Sequence, residues 1–414
     1  MTLNVAKGLA IGISAILTSL LVACGGGGGS STASAPAGAS APAVVTPIPV
    51  QASSYENKIA AATKLGPQPL PSEVAQGNAV AFADFFQDGT YSMVTASCAA
   101  QSCGASSNGA GQIHFYKQVN GQWVDHTSDI LSNATGCMHP RKAVVADFNN
   151  SGKPGVFISC IGTDESPYTG EDQIILLPQS NGQYTNTTIP IVAYAHSASA
   201  ADFNGNGYAD IVITDTSPAG NAAQNVYFLK NNGDGTFSKD TSRLAQLVPY
   251  DSNGDGNLSP GTLTAGGEAL VSDLELIDFT GNGKYDLFIG GRGYDPEQIG
   301  DWPPTILYNQ NNTYSQNDVT TLPNNPTFQV VNDVVFTNGK IYTSDSDQPA
   351  PGAQIVSYLG GDIEEYSGTN YGTMTQLWST TANFPDGINW INYIIPYQGM
   401  IDALNSTYNV SVSQ

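Results

Sequence analysis

Residues 201–213 read ADFNGNGYADIVI and residues 277–289 read IDFTGNGKYDLFI. Looser copies stand at 146–158 (ADFNNSGKPGVFI) and 83–95 (ADFFQDGTYSMVT), with a degenerate echo at 335–345 (VFTNGKIYTSD). The leading acids Asp84, Asp147, Asp202 and Asp278 are spaced 63, 55 and 76 residues apart. Self-similarity at such a period indicates stacked supersecondary units rather than one closed core. Apolar runs such as Ile211–Ile213 and Leu287–Ile289 follow each phrase at once and read as buried strands. A third element follows in each unit: HFYKQVNGQWVDH at 114–126, IILLPQSNGQYTN at 174–186 and VYFLKNNGDGTFSK at 226–239. Asn-Gly and Asp-Gly between alternating apolar residues signal hairpins, so these elements supply two further strands. The expected class is therefore all-β, one four-stranded antiparallel blade per interval.

Within the phrase, Asp202, Asn204, Asn206 and Asp210 place side-chain oxygens at positions 1, 3, 5 and 9, and Tyr208 offers a backbone carbonyl at position 7. A hard cation such as calcium takes six to eight oxygens in this kind of loop. Asp278, Thr280, Asn282 and Asp286 repeat the scheme, with Lys284 at position 7. Asp147, Asn149 and Ser151 begin it, but Gly155 removes the ninth carboxylate; Asp84 and Asp88 retain only two ligands. The competing reading is a set of Asx and glycine turns that need no metal. An EF-hand would continue into a helix with Glu at position 12, and these loops run into strands instead. The stretch DSNGDGNLS at 251–259 does follow the first part of an EF-hand loop through Asp251, Asn253 and Asp255, yet Thr262 stands at position 12 and Pro260 interrupts it.

These phrases resemble the FG-GAP and VCBS repeats of integrin-alpha-like β-propellers, whose blades carry a D-x-[DN]-x-[DN]-G-x-x-D calcium loop between their first two strands. The resemblance covers about 80–322 well and 334–414 weakly. It implies a propeller of six blades, with five or seven as alternatives, and calcium as the structural ion. The last blade is expected to be completed by strands from residues 55–80, which would close the ring.

The N-terminus carries its own signal. Lys7 precedes an apolar stretch from Gly8 to Val22, too short to span a bilayer and suited to a signal peptide. Leu21-Val22-Ala23-Cys24 resembles the lipobox of bacterial lipoproteins, so Cys24 is the expected lipidation site. A Gly/Ser/Ala/Pro tract follows and reads as a flexible tether reaching about 25–30 Å. The expected organisation is a signal peptide at 1–23, tether at 24–50 and propeller at 51–414, lipid-anchored in the envelope, with the outer membrane favoured.

The remaining cysteines are Cys98, Cys103, Cys137 and Cys160. An even number suits an oxidising compartment and allows three pairings. Strand placement favours Cys98 with Cys103 and Cys137 with Cys160; a zinc site lacks the usual paired spacing. The formal charge of -22, from 13 Lys+Arg against 35 Asp+Glu, argues against nucleic-acid or anionic-surface partners. The membrane is then met through the lipid alone.

No hydrolase elbow, metalloprotease helix, phosphate loop or dinucleotide fingerprint occurs in the chain, and the four histidines are scattered. His139, just before a first strand, is the one flagged for the channel mouth. Arg292, Tyr294 and Trp302 lie in a long loop and could stack on a sugar or anchor a partner. The expectation is a recognition module for a protein or glycan, without catalytic residues. The alternatives are an envelope polysaccharide hydrolase or lyase, and a passive assembly scaffold.

Overall fold

The computed structural model describes residues 45–71, 79–99, 109–164, 169–215, 226–240, 242–244, 270–292, 304–325, 327–347, 360–380, 391–404 and 409–414. The compact unit spans Val45–Gln414. No described helix is long and apolar enough to cross a membrane.

Six antiparallel sheets follow one another along the chain as blades of a propeller ring. Blade one holds β1 (Ala79–Ala83), β2 (Ser92–Ser97), β3 (Gln112–Val119) and β4 (Gln122–Asp125). Blade two holds β5 (Pro140–Ala146), β6 (Gly155–Cys160), β7 (Glu171–Pro178) and β8 (Tyr184–Ala193). Blade three holds β9 (Ala198–Ala201), β10 (Asp210–Thr214), β11 (Val226–Asn231) and β12 (Phe237–Asp240). Blade four holds β13 (Leu270–Ile277), β14 (Asp286–Arg292), β15 (Thr305–Asn309) and β16 (Tyr314–Thr321). Blade five holds β17 (Phe328–Thr337), β18 (Lys340–Asp347), β19 (Gly361–Ser367) and β20 (Thr373–Thr380). Blade six shows β21 (Ile394–Tyr397), β22 (Met400–Leu404) and β23 (Asn409–Ser413) among the described residues. Each repeated phrase thus spans the turn between the first two strands of its blade, and each third element forms strands three and four.

The first two strands are buried along their whole length in blades one and three, on both faces, because neighbouring blades cover them. This explains why Ile211, Val212 and Ile213 are consecutive apolar residues rather than an alternating series. Val212 packs toward blade four with Leu274, Leu276 and Leu287, while Ile211 and Ile213 pack toward blade two with Phe157 and Ile175.

Blades five and six replace the acidic loop by a tight hairpin. Asn338-Gly339 and Gln398-Gly399 both take positive φ (52° and 72°, 49° and 80°), as a two-residue turn between twisted strands requires. The fifth echo is therefore a blade that keeps the strands and drops the acids.

Ring closure differs from the sequence expectation. Residues Ser54–Leu65 are not strands but a helix, α1. Ser53 caps it: its hydroxyl accepts the Glu56 N–H at 3.1 Å, while Glu56 Oε2 accepts the Ser53 N–H at 3.1 Å. This capping box, followed by the helix-favouring run Ile59-Ala60-Ala61-Ala62, is the local signal that outweighs strand pairing. The helix closes one end of the central channel, where it meets the ends of the innermost strands. Asn57 Nδ2 donates to Val145 O at 3.0 Å, Ser53 bridges Ala201, and Tyr55 hydrogen-bonds Phe336. In its C-terminal half, Ala61 and Ala62 pack with Val80, Phe82, Ile395 and Leu404 and so seal the seam between blades one and six.

Candidate functional site

The four aspartate loops share one end of the ring with α1, and they share one backbone geometry. In each, the leading aspartate accepts the N–H groups of the residues four and five positions on. Asp202 takes Asn206 N (3.2 Å) and Gly207 N (2.7 Å); Asp278 takes Asn282 N (3.1 Å) and Gly283 N (2.7 Å). Asp147 takes Ser151 N (3.1 Å) and Gly152 N (2.7 Å); Asp84 takes Asp88 N (2.9 Å) and Gly89 N (2.8 Å). Two positive-φ residues recur at positions 4 and 6: 205 and 207, 281 and 283, 150 and 152, 87 and 89. The loops that have lost ligand residues keep the same curl, so the conformation is encoded by the aspartate and the turn residues together.

Gly207 shows how closely the curl is built. Its φ is +79°, and a Cβ there would lie 2.2 Å from Asn150 Oδ1 of the neighbouring loop. The two loops are also joined by Asn150 N to Gly207 O (2.8 Å) and Ala209 N to Asp147 O (2.9 Å). Gly207→Ala is expected to lower stability by about 1–3 kcal/mol, read as a drop in melting temperature, with part of the loss recovered on adding Asn150→Gly.

The middle positions carry outward oxygens. Asn204 and Asn206 are exposed; Asn204 Oδ1 accepts Asn206 N (3.1 Å) and Asn206 Oδ1 accepts Tyr208 N (2.9 Å). In blade four Asn282 Oδ1 accepts Lys284 N (2.8 Å), and the Thr280 hydroxyl lies 3.4 Å from Asp278 Oδ1. In blade two, Asn149 donates its amide to Pro178 O (3.0 Å) and keeps a buried, unpartnered Oδ1, while Ser151 Oγ accepts Lys153 N (3.3 Å). Asp84 has a different task, since its Oδ2 also accepts Ile48 N at 2.9 Å and so clamps the segment that leads into α1.

The ninth-position acids point inward. Asp210 Oδ1 accepts Asn231 N (2.7 Å) and its Oδ2 pairs with the Arg243 guanidinium. Asp286 Oδ1 accepts Asn309 N (2.9 Å) and its Oδ2 accepts Phe279 N (3.2 Å). Burial, with the charges of Asp278 and Asp318, pushes the Asp286 carboxyl up to about 6. As a donor set, carboxylate, amide, hydroxyl and carbonyl oxygens suit calcium, and a carboxylate oxygen that already accepts one N–H still has a lone pair to offer. Blade four carries every donor type of the set, with both ninth-position oxygens accepting backbone N–H groups, while in blade three the ninth carboxylate pairs with Arg243.

Beneath α1 the channel holds a cavity of about 50 Å³ lined by Lys58, Lys142, Glu275, Asp333 and Tyr393, among others. Lys142 Nζ reaches Asp273 Oδ1 and Glu275 Oε1, each at 2.7 Å, and Lys58 Nζ reaches Asp333 at 2.6 Å. Burial alone would depress the Lys142 ammonium's pKa, but the carboxylates of Asp273, Glu275 and Asp333 hold it above the ordinary lysine value. No sequence motif marks this network, because its members are scattered over α1, β5, β13 and β17.

A second group that sequence reasoning missed lies in blade five. Asp345, Asp362 and Glu364 are buried, held by Thr343, Gln376, Asn325 and Tyr366. Burial first, and the Glu364 charge second, push the Asp362 carboxyl up to about 9, so it keeps its proton at neutral pH. Acids at alternate strand positions are the only sequence sign of it.

At the other end of the ring, Asp164 receives Arg141 Nη2 (3.3 Å) and the Tyr194 hydroxyl, with the Tyr194 ring 5.2 Å from His196. Burial works to raise the Asp164 pKa, but Arg141, Tyr194, His196 and His139 together hold it below the usual carboxylate range. His139 itself is fully buried against Gly162 O.

Cys137 and Cys160 form the expected disulfide, with Cα atoms 5.9 Å apart. This also accounts for the grouping of Cys137, Cys160 and Glu171, whose sulfurs are bonded to each other rather than free for a metal. Cys98 is disulfide-bonded, and its expected partner Cys103 lies outside the described residues. Also outside them are Cys24, Tyr294, Trp302 and the loop with Asp251, Asn253 and Asp255; Arg292 ends β14, and only its backbone is described.

The fold and its loops define a six-bladed β-propeller with aspartate-capped turns between the first two strands of four blades. Residues 194–229, which span β9, the Asp202 loop, β10 and most of β11, match the FG-GAP repeat model. That match and the six blades together fit the FG-GAP β-propeller family. No curated protein matches the sequence. Among solved structures, a protein from Lactobacillus plantarum is similar at 12% identity, covering 78% of this chain and 81% of that one, with a TM-score of 0.38. A polysaccharide lyase is similar at 10% identity, covering 81% of this chain and 78% of that one, with a TM-score of 0.35. Likenesses this low carry no argument about activity.

Proposed function

We propose that this chain is a calcium-stabilised recognition propeller, anchored to the bacterial envelope, most readily the outer membrane, by lipid on Cys24, that binds a protein or glycan. The observation that carries the reading is the closed channel. With α1 across one end, the cavity beneath it holds about 50 Å³, below the ~300–1,000 Å³ of typical ligand pockets. Antiparallel topology puts the ends of β2, β6, β12, β14 and β18 and the starts of β3, β7, β13, β15 and β19 at the ring end opposite the aspartate loops. Ligand contacts then belong to that loop-bearing end, with Arg292, Tyr294 and Trp302 as the contact residues, while calcium stiffens the other. Asp278, Thr280, Asn282 and Asp286, with the Lys284 carbonyl, would hold the ion in blade four; Asp202, Asn204, Asn206 and the Tyr208 carbonyl supply the corresponding atoms in blade three.

Calcium titration of the full-length chain tests the metal. Saturable binding is expected, and at a hundredfold excess over Kd it should add about 2.7 kcal/mol of stability. An unchanged melting temperature with no heat of binding would reduce the loops to turns. A glycan and protein array run with and without calcium, beside Trp302→Ala, tests recognition; the variant should lose its ligand.

One observation favours a second reading, a polysaccharide hydrolase or lyase: Arg141, Asp164, Tyr194 and His196 converge at the loop-bearing end. New reducing ends or unsaturated products from a polysaccharide panel, abolished by Asp164→Asn, would establish that reading in place of passive binding.

A further inference from the structure

We infer that the two consensus loops are unequal cation sites: blade four offers its whole acid set to the ion, whereas in blade three Arg243 takes the place of the cation at Asp210. The inference rests on the calcium reading above and concerns how the chain divides that role between two loops that look alike in sequence.

The loops match at their first, middle and positive-φ positions, and they match at one ninth-position oxygen, which in each accepts the N–H of an asparagine closing the third strand (Asn231, Asn309). They differ at the other oxygen. In blade four it accepts only the Phe279 N–H among the described residues. In blade three it pairs with the guanidinium of Arg243, from the short turn Ser242–Leu244 that follows β12. Lys284, the basic residue of the blade-four loop, reaches Asn311 instead.

Arg243 is not placed to step aside. Its guanidinium carbon lies 4.7 Å from the Phe203 ring and 5.0 Å from the Phe228 ring, its Nε is 3.5 Å from Asp240, and its side chain is 14% exposed. Both aromatic rings are tied into the core shared by blades three and four. A guanidinium does not release its proton in a protein, so the positive charge is permanent. An ion bound through Asp202 and Asp210 would sit within a few ångströms of that charge, partly shielded from water, and would be repelled by it. With the internal cation in place, the blade-three loop has its ninth acid neutralised without calcium. The blade-four loop has no such provision among the described residues.

Calorimetry of the full-length chain with calcium chloride decides the matter. In the wild type the site removed by Asp278→Asn should be strong, and the site removed by Asp202→Asn at least about tenfold weaker. Asp278→Asn should abolish the strong site, and Asp202→Asn should leave it within about twofold. Arg243→Gln should strengthen the blade-three site by about tenfold or more and bring a second equivalent to strong binding. Two strong sites of equal affinity in the wild type, one lost in Asp278→Asn and the other in Asp202→Asn, would overturn the inference, as would loss of the strong site in Asp202→Asn with retention in Asp278→Asn. Neither of these outcomes depends on the arginine variant folding. Absence of binding in the wild type would defeat the calcium reading itself, and this inference with it.

Discussion

Lys142→Met is expected to lower the unfolding free energy by about 3–5 kcal/mol, because it removes one partner of a buried charge group and strands the others. Lys142 Nζ holds Asp273 and Glu275 at 2.7 Å each and Leu274 O at 3.0 Å, and the two carboxylate side chains are 1% and 3% exposed. Methionine keeps the aliphatic stem, so the loss reports the charge rather than packing. Burial, joined by the Glu275 and Asp333 charges and opposed by Lys142, already pushes the Asp273 carboxyl up to about 6. Between the ordinary carboxylate pKa near 4 and that value, the folded state binds more protons than the unfolded chain. Stability from this group is therefore present at low pH and is lost as pH rises through about 6. Without the lysine that slope should steepen. Urea unfolding at pH 5 and pH 8 measures both effects. The triple variant Lys142→Met/Asp273→Asn/Glu275→Gln should recover most of the loss; if it does not, shape rather than charge is what Lys142 contributes.

Tyr55→Ala should cost about 3–5 kcal/mol, the range for truncating a large buried aromatic. Tyr55 is buried among Phe279, Val334 and Tyr366, and its hydroxyl donates to Phe336 O (2.9 Å) while accepting the Phe336 N–H (2.6 Å). Truncation leaves a cavity and an unpaired backbone donor at the point where α1 meets blade five. Tyr55→Phe isolates the second effect and should cost about 1–3 kcal/mol. Equilibrium unfolding gives the totals, and proteolysis within residues 45–66 shows whether the helix has left the channel. If the alanine variant were protease-resistant and lost less than the phenylalanine variant is expected to lose, α1 would be an ornament on a self-sufficient ring.

Much of the blade was legible in the sequence because its determinants are local. A leading aspartate that caps N–H groups four and five residues on, two positive-φ positions and an apolar run afterwards are all contained in a dozen residues. The Cys137–Cys160 bond was legible for the same reason, since the two residues flank the first two strands of one blade. Spacing alone marks the acid at position 9 as a ligand. What tells the two blades apart, Arg243 beside Asp210 with no counterpart beside Asp286 among the described residues, comes from a residue 33 positions away, and no motif of loop length contains it.

The capping box at Ser53 and Glu56 was visible in the sequence, yet its meaning was not. Whether a helix lies on the surface or closes a channel depends on what the six innermost strands present to it. The strands, their turns, the blade order and the oxygen donors of the loops are legible in the residues alone, because each is fixed by contacts between near neighbours. That α1 closes the ring in place of a strand, that Lys142 gathers acids from distant strands, and that Arg243 stands beside one aspartate loop and not the other are set by the assembled ring. Those outcomes depend on long-range burial, where a charge or polar group must find its partner in space once water has been removed.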